Sequence, residues 1–349
     1  MATTSPRSGA GTSRPELAYI MPVRNDATYL RTAVQSIFAQ DNPEGTKIVL
    51  AVGPSTDATR EVADQLASEF PITVLENPRG TTPPALNLAF NATDAEFVIR
   101  VDAHSELSDG YARRALDTLR STGAANVGGV MVAKGTSLIQ RAVAWAYGNR
   151  IGLGGGAFHV GGEPGPVDTV YLGCFRRDSL VEVGGFNEAM TRGQDWELNA
   201  RLRESGHTVW FDPELRVGYY PRSTFRALAK QLVDTGMFRA FITLSSPGRV
   251  RLRYLAAPAV VAAAVGGAAL ALGVGHWWPL VPLAMYATAI VASVATATGV
   301  DIRTRLALLA VLPTMHFSWG LGFWKGVFVH RGHPAALAAA RAARSGSAA

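Results

Sequence analysis

The chain has 349 residues, with 33 Lys and Arg against 27 Asp and Glu, a net charge of +6 and 48% hydrophobic residues. Its single cysteine, Cys174, excludes an intramolecular disulfide and fits a reducing compartment. The basic residues are scattered and no nucleic-acid motif accompanies them, so the excess charge points to an anionic membrane surface and a polyanionic substrate.

Residues 1–15 are rich in Ser, Thr, Gly and Ala without an apolar core, and read as a disordered tail rather than a signal peptide. From Leu17 to about Pro221 short apolar runs alternate with amphipathic ones, the pattern of an α/β domain with a mostly parallel sheet. Strands are expected over 17–22, 47–52, 72–76, 97–101, 126–133 and 208–211. Helices are expected over 29–39, 57–69, 84–92, 111–121, 140–148 and 188–204, with Asp57 capping the second. The Gly-rich segment 152–165 lacks the strand–turn–helix context of a dinucleotide-binding fingerprint and reads as a flexible loop beside a site.

Composition changes sharply at about Tyr254. Residues 226–253 are expected to form amphipathic, interfacial linker helices, and 254–329 a membrane region. Tyr254–Val274 has no charge and is long enough, at about 20 residues, to cross a bilayer. Trp277–Thr298 is a second such segment, with Trp277 and Trp278 as interfacial anchors. Leu306–Val329 is a third, interrupted by Pro313, His316 and Lys325; it either spans or returns as a re-entrant helix. Its Gly322-x-x-x-Gly326 spacing permits close helix packing. Arg249, Arg251 and Arg253 precede the first segment, and Arg303 and Arg305 follow the second, so both flanks are expected on the cytoplasmic side. No function attaches to the Ala/Arg-rich tail 330–349, where Arg341 and Arg344 lie.

Two stretches hold residues that can do chemistry. The run Phe97-Val98-Ile99-Arg100-Val101-Asp102-Ala103-His104 ends a strand in two potential ligands one residue apart. Residues i and i+2 of an extended chain share a side, so Asp102 and His104 can reach one ion at the carboxyl end of the sheet, where open α/β sheets bind ligands. A carboxylate and an imidazole suit Mn²⁺ or Mg²⁺ carrying a diphosphate; a polar turn is the plain alternative. The second stretch, Gln194-Asp195-Trp196-Glu197, opens a helix. Asp195 there either favours the helix dipole or serves as a general base.

In order and spacing these pieces resemble the family 2 inverting glycosyltransferases of GT-A fold, closest to the membrane-bound enzymes of succinoglycan and exopolysaccharide biosynthesis. The resemblance runs from about Leu17 to Arg239 and rests on several ordered motifs. They are Met21-Pro22-Val23-Arg24-Asn25-Asp26, Pro54-Ser55-Thr56-Asp57-Ala58-Thr59, Asn77-Pro78-Arg79-Gly80-Thr81, Ala85-Leu86-Asn87, Arg100-Val101-Asp102-Ala103-His104-Ser105, Tyr171-Leu172-Gly173-Cys174-Phe175-Arg176-Arg177, Val183-Gly184-Gly185-Phe186-Asn187-Glu188 and Gln194-Asp195-Trp196-Glu197.

The resemblance implies a role for each. Asp102 and His104 match the family's metal-binding motif, with His in place of a second Asp, and Asp195 matches the base that deprotonates the acceptor. Pro22, Arg24, Asp26, Asp57, Arg79, Asn87, Asp102 and Arg239 fall on the nucleotide-sugar side. Gly173, Cys174, Trp196 and Gln231 fall on the acceptor side. Family members often carry an acidic pair after the second strand that helps read uracil. Val52 and Gly53 stand there instead, so base recognition is arranged differently.

The implied enzyme is metal-dependent and inverting. It moves a hexose from a UDP-linked donor to a lipid-linked saccharide, from a multi-pass position in the inner membrane with its catalytic domain in the cytoplasm. A polyprenyl phosphate acceptor is the alternative within enzymes; it is already ionised and has little use for a base such as Asp195. A non-catalytic nucleotide-sugar-binding scaffold of an export complex is the alternative outside them.

Overall fold

A computed structural model describes residues 14–190, 193–245 and 252–331. Almost all of the expected N-terminal tail, Arg192, Arg249, Arg251 and nearly all of the C-terminal tail, with Arg341 and Arg344, lie outside the described residues.

The α/β part opens with β1 (Leu17–Val23), α1 (Leu30–Phe38), β2 (Lys47–Val52), α2 (Thr59–Glu69), β3 (Thr73–Glu76), α3 (Thr82–Asn91) and β4 (Phe97–Arg100). Then come β5 (Ser105–Leu107), α4 (Tyr111–Thr122), β6 (Asn126–Ala133), α5 (Leu138–Tyr147) and two single-turn helices, α6 (Arg150–Leu153) and α7 (Ala157–Val160). It closes with β7 (Gly165–Pro166), β8 (Tyr171–Arg176), α8 (Arg177–Glu182), α9 (Gln194–Glu204) and β9 (Val209–Tyr219). The helical part is α10 (Phe225–Ser245), α11 (Ala256–Val274), α12 (Val281–Ala295) and α13 (Ile302–Arg331).

The strands form one sheet in the order β3-β2-β1-β4-β8-β6-β9-β5, with β7 on β9. β8 runs against both of its neighbours, yet six of the nine strands (β1, β2, β3, β4, β6 and β9) point the same way. The expected mostly parallel sheet is therefore present. β1 shows why its sequence reads as an unbroken apolar run: Leu17, Tyr19 and Met21 enter one core cluster while Ile20 enters the other. Helices cover both faces, so both sets of side chains need to be apolar.

The expected strand at 208–211 is much longer. β9 continues to Tyr219 past Asp212 and Pro213, residues that break a strand pattern on paper. The pairing with β6 jumps from Gly128–Phe211 to Val130–Arg216, so the intervening residues form a bulge. Buried Asp212 braces that bulge by accepting hydrogen bonds from Arg114 Nε at 2.7 Å and Thr118 Oγ1 at 2.9 Å.

Residues 225–245 form the single helix α10, which lies along α13. Three helical segments are long and apolar enough to cross a membrane, and they differ in packing. Only 11% and 17% of the first two are buried inside the protein, against 44% of α13. The first two thus present apolar surface outward, while α13 is also a structural spine. A Cβ on Gly322 or Gly326 would collide with the backbone of α10 at Val233 and Met237, and one on Gly236 with α13 at Trp319. The Gly-x-x-x-Gly pair therefore brings α13 against α10, not against another apolar segment. Gly322→Leu is expected to overpack this crossing by about 1–3 kcal/mol, read as a lower melting temperature of the full chain in detergent. An unchanged melting temperature would show that the contact is slack.

Candidate active site

The site forms where β1, β2, β3 and β4 end, and backbone hydrogen bonds there are replaced by side-chain ones. Arg24 follows β1 and ties the other loops together: its Nε donates to Pro54 O at 3.1 Å and its Nη1 to Gly80 O at 2.8 Å. Asn25 adopts a left-handed conformation (φ 54°), which short polar side chains tolerate, and accepts from Thr56 N at 2.8 Å. Asp57 accepts from Ala27 N at 3.2 Å and from Thr59 N at 3.2 Å, so it both steadies the start of α2 and fastens the first loop. Thr59 Oγ1 and the backbone of Ala27 hold its carboxyl below the usual range, with burial opposing them. Asp26 N donates to Thr59 Oγ1 at 2.8 Å, so Arg24, Asn25, Asp26 and Asp57 belong to one knitted rim, and Pro22 lies just before it near the end of β1.

At the end of β4 the side chains converge on a cation. Arg100 is only 3% exposed, and its Nε and Nη2 donate to Asp102 Oδ1 at 3.0 and 2.9 Å. Its Nη1 pairs with Asp195 Oδ1. One buried guanidinium therefore holds the expected metal ligand and the expected base, 93 positions apart in the chain (195 − 102). Each carboxylate keeps its second oxygen without a partner among the described residues. A buried cation is tolerable only when paired, and here two carboxylates pair it.

His104 lies beyond Asp102, partly exposed, with Nδ1 3.1 Å from Asp26 Oδ1. Burial disfavours its charge, but the Asp26 hydrogen bond and the charges of Asp102 and Asp26 outweigh it, and hold the imidazole above its ordinary pKa. Its Nε2 is left open, and the ring meets Tyr219 edge-on at 5.6 Å. Among the described residues no group of three or more His, Cys, Asp or Glu side chains could by itself enclose a metal ion. Asp102 Oδ2 and His104 Nε2 nevertheless fit a divalent ion that takes its remaining ligands from a diphosphate and water, as Mg²⁺ and Mn²⁺ do.

Asp195 reaches the site because α9 starts there. Gly193 has φ 68°, and a Cβ at that position would strike the Phe238 ring of α10. The helix start is thus wedged between the sheet and α10. Next to it, Arg239 stands over the Trp196 ring at 5.6 Å and the Tyr254 ring at 3.9 Å. Gln231 Nε2 donates to Tyr219 Oη and its Oε1 accepts from Arg222 Nε, both at 3.3 Å. Trp196, Gln231 and Arg239 therefore line the α10 side of the same region.

Other expected residues have structural employment. Asn87 accepts from Phe186 N at 2.8 Å and donates to Phe186 O at 2.8 Å and Glu188 Oε1 at 2.9 Å, fastening the loop before α9. Arg79 is exposed and paired with Glu188. Gly173 (φ 123°) packs on Asn126 with no room for a side chain. Cys174 turns into the core beside Tyr19 and Tyr111 rather than toward an acceptor, and burial raises its thiol pKa, so it stays protonated. Its expected place on the acceptor surface is corrected accordingly. Glu197 is buried and holds Arg201 at 2.8 Å, and Arg201 Nη2 donates to Gly185 O at 2.8 Å.

Three residues near the site have no role in the sequence reading. Arg100 stood inside a quoted motif, and its signal was a charge within an otherwise apolar strand. Tyr171 and Tyr219 come from β8 and β9. Burial and the Asp102 charge push the Tyr171 hydroxyl well above its ordinary pKa, so it remains protonated, 3.3 Å from Ser105 Oγ. Tyr171 stood inside a family motif without a role of its own and Tyr219 in none; the sheet order sets Tyr219 edge-on to His104 and Tyr171 against Tyr219 at 6.3 Å.

The mixed sheet covered on both faces is that of the GT-A glycosyltransferase fold. The Glycosyl transferase family 2 profile matches residues 19–184. The succinoglycan biosynthesis protein ExoA of Rhizobium meliloti (strain 1021) is 31% identical over 311 residues, covering 88% of this chain and 93% of that protein. A dolichyl N-acetyl-alpha-D-glucosaminyl phosphate 3-beta-D-2,3-diacetamido-2,3-dideoxy-beta-D-glucuronosyltransferase of Methanococcus voltae is 24% identical over 63% of this chain and 71% of that one. Among solved structures, the mannosyltransferase PcManGT from Pyrobaculum calidifontis, in complex with GDP-Man and Mn²⁺, has a TM-score of 0.62 at 18% identity, covering 90% of this chain and 88% of that chain. This chain belongs to glycosyl transferase family 2.

Proposed function

We propose that the protein transfers a hexose, with inversion, from a nucleotide-diphosphate sugar to a lipid-linked saccharide at the inner leaflet, for a cell-surface or exopolysaccharide. The observation that supports this most is the Arg100 bridge, which sets a metal-type carboxylate and a base-type carboxylate on opposite sides of one buried cation. The donor lies across the rim of Arg24, Asp26 and Asp57, with uridine the preferred base. The acceptor approaches from the side of Trp196, Gln231 and α10.

In a single displacement the acceptor oxygen forms the new bond to the anomeric carbon as the bond to the diphosphate breaks. Asp195 Oδ2 is free to take the proton of the incoming hydroxyl while Arg100 holds Oδ1 and fixes the plane of the carboxylate. Arg222 adds positive charge on the diphosphate side, near His104. Asp102 and His104 are the residues that would hold Mn²⁺ or Mg²⁺, which when bound neutralises charge on the leaving diphosphate.

The choice of acceptor follows from the base. A hydroxyl needs deprotonation, whereas a polyprenyl phosphate does not, so Asp195 favours a saccharide acceptor. The name of the Methanococcus relative describes transfer to a sugar already on a dolichyl phosphate, which agrees with that choice. The apolar surfaces of α11 and α12 would keep the enzyme in the membrane where such acceptors reside.

The test is a donor screen by nucleotide release, using membranes that contain the native lipid acceptor. UDP-hexoses are expected to turn over, chelation by EDTA to stop release, and added Mn²⁺ or Mg²⁺ to restore it. Asp102→Ala should weaken metal-dependent donor binding by calorimetry tenfold or more, on the order of the loss seen when a metal ligand's support is removed. Equal donor affinity in that variant, or release indifferent to EDTA, would reject the metal assignment.

A further inference from the structure

Away from the strand ends, the α/β part meets the helical part along α5, where an apolar core (Val143 and Ala146 against Val294, Leu308 and Val311) is edged by polar contacts. Trp145 Nε1 donates to Thr298 O at 3.1 Å, and Arg141 Nε donates to Thr304 Oγ1 at 3.3 Å. In the same zone His316 Nε2 donates to Ile151 O at 2.7 Å, which leaves its Nδ1 to accept from the Tyr286 hydroxyl at 2.9 Å. These bonds seat α5 against the α12–α13 turn and α6 against the middle of α13. Between them lies an open cavity of about 470 Å³, lined by Trp145, Asn149, Arg150, Ser293, Thr296 and Thr298 among others.

The charge around this cavity is lopsided. Arg150 is exposed on its wall and has no ion pair or side-chain hydrogen bond with any described residue. Nearby, Arg305 Nη2 donates to Ala297 O at 2.6 Å while its Nε is buried with no partner among the described residues. Asp301 is the one acid in the α12–α13 turn, and Thr304 and Arg141 already occupy it. Ser293 and Thr296 hydroxyls donate back to their own helix, so Arg150 and Thr298 are the donors left to a ligand.

Position narrows the ligand class. Ser293 and Thr296 are at the C-terminal end of α12, and Arg303 and Arg305 follow the turn, so the cavity stands at the polar boundary of that segment. An unneutralised guanidinium with a tryptophan at that level suits the phosphate of an amphiphile whose tail lies along α12. The nucleotide side of the active site is built from other segments, the loops after β1, β2 and β3.

We propose that this cavity binds the phosphate group of a lipid, with Arg150 as its principal contact. The proposal rests on the reading that α11 and α12 cross the membrane. Its place matters for the reaction: α5 ends in Tyr147, which stacks on Tyr219 at 6.1 Å, and Tyr219 meets His104. The cavity's lining, Trp145 and Gly148–Arg150, flanks Tyr147 in sequence, so α5 connects it to the site.

The test uses the full chain in a neutral detergent and native mass spectrometry with dioctanoyl-phosphatidylglycerol. Arg150→Gln is expected to lower the occupancy-derived affinity about fivefold, the loss of one arginine's attraction, while Arg303→Gln changes it little. Equal binding in wild type and Arg150→Gln, or equal losses in both variants, would reduce the effect to diffuse surface charge and overturn the proposal. Farnesyl phosphate and inorganic phosphate serve as competitors. Displacement by farnesyl phosphate at lower concentration than phosphatidylglycerol supports the proposal and assigns the site to the acceptor's carrier; displacement by inorganic phosphate alone rejects a lipid ligand. Matching melting temperatures show that both variants fold. Carbonate extraction of membranes tests the spanning segments separately, since a protein that resists extraction yet binds lipid without Arg150 refutes only the site.

Discussion

Asp195→Asn should bring transfer down by about 10²–10⁴-fold at saturating donor, the usual worth of a positioned base. Asparagine keeps the shape of the carboxylate, and its oxygen can still accept from Arg100, so the start of α9 should hold its place. What disappears is the basic Oδ2, which has no other partner among the described residues. Donor binding in the presence of Mn²⁺ should be nearly unchanged by calorimetry, because the donor rim is built from the loops after β1, β2 and β3. Turnover within a few-fold of wild type would remove Asp195 from the mechanism.

Arg100→Met should damage both stability and activity, and the two effects separate in a double variant. Removing one member of a buried ion cluster costs roughly 3–5 kcal/mol in fully buried cases. Asp102 and Asp195 keep 19% and 29% of their side-chain surface exposed, so solvent takes up part of the loss and the expected cost is toward the low end. Adding Asp195→Asn to Arg100→Met relieves the repulsion between the two carboxylates. It should restore part of the melting temperature without restoring transfer, a coupling that a double-mutant cycle reads directly. Arg100→Lys keeps the charge but loses the fork that serves two carboxylates, so it should recover more stability than turnover. If Arg100→Met retained full turnover, the bridge would be structural decoration rather than part of the site.

The α/β domain was legible because its strands are apolar on both faces and its helices amphipathic, patterns that survive without tertiary information. The expected strands at 47–52 and 126–133 match β2 and β6 to the residue. The expected helix at 188–204 begins at Gln194 instead, and Asn87 binds Phe186 and Glu188 at the start of the expected range. β5 has three residues, too few for any periodicity, and the bulge at Asp212 and Pro213 hid the second half of β9.

For the site, the sequence alone determined the residue types and the order of the motifs: Asp102 and His104 at a strand end, Asp195 at a helix start. Local chemistry sets both, since a strand's carboxyl end and a helix's first turn offer polar groups to a ligand. The tertiary structure decided which of those residues are free to act. It committed Asn87 and Glu197 to loop-holding, turned Cys174 inward, and showed that α10 rather than a neighbouring span receives the Gly322–Gly326 face. It also placed Arg100 between Asp102 and Asp195, a contact across 95 positions from Arg100 to Asp195. No local pattern encodes such a contact, because what satisfies a buried charge is whichever opposite charge the fold brings within hydrogen-bond reach.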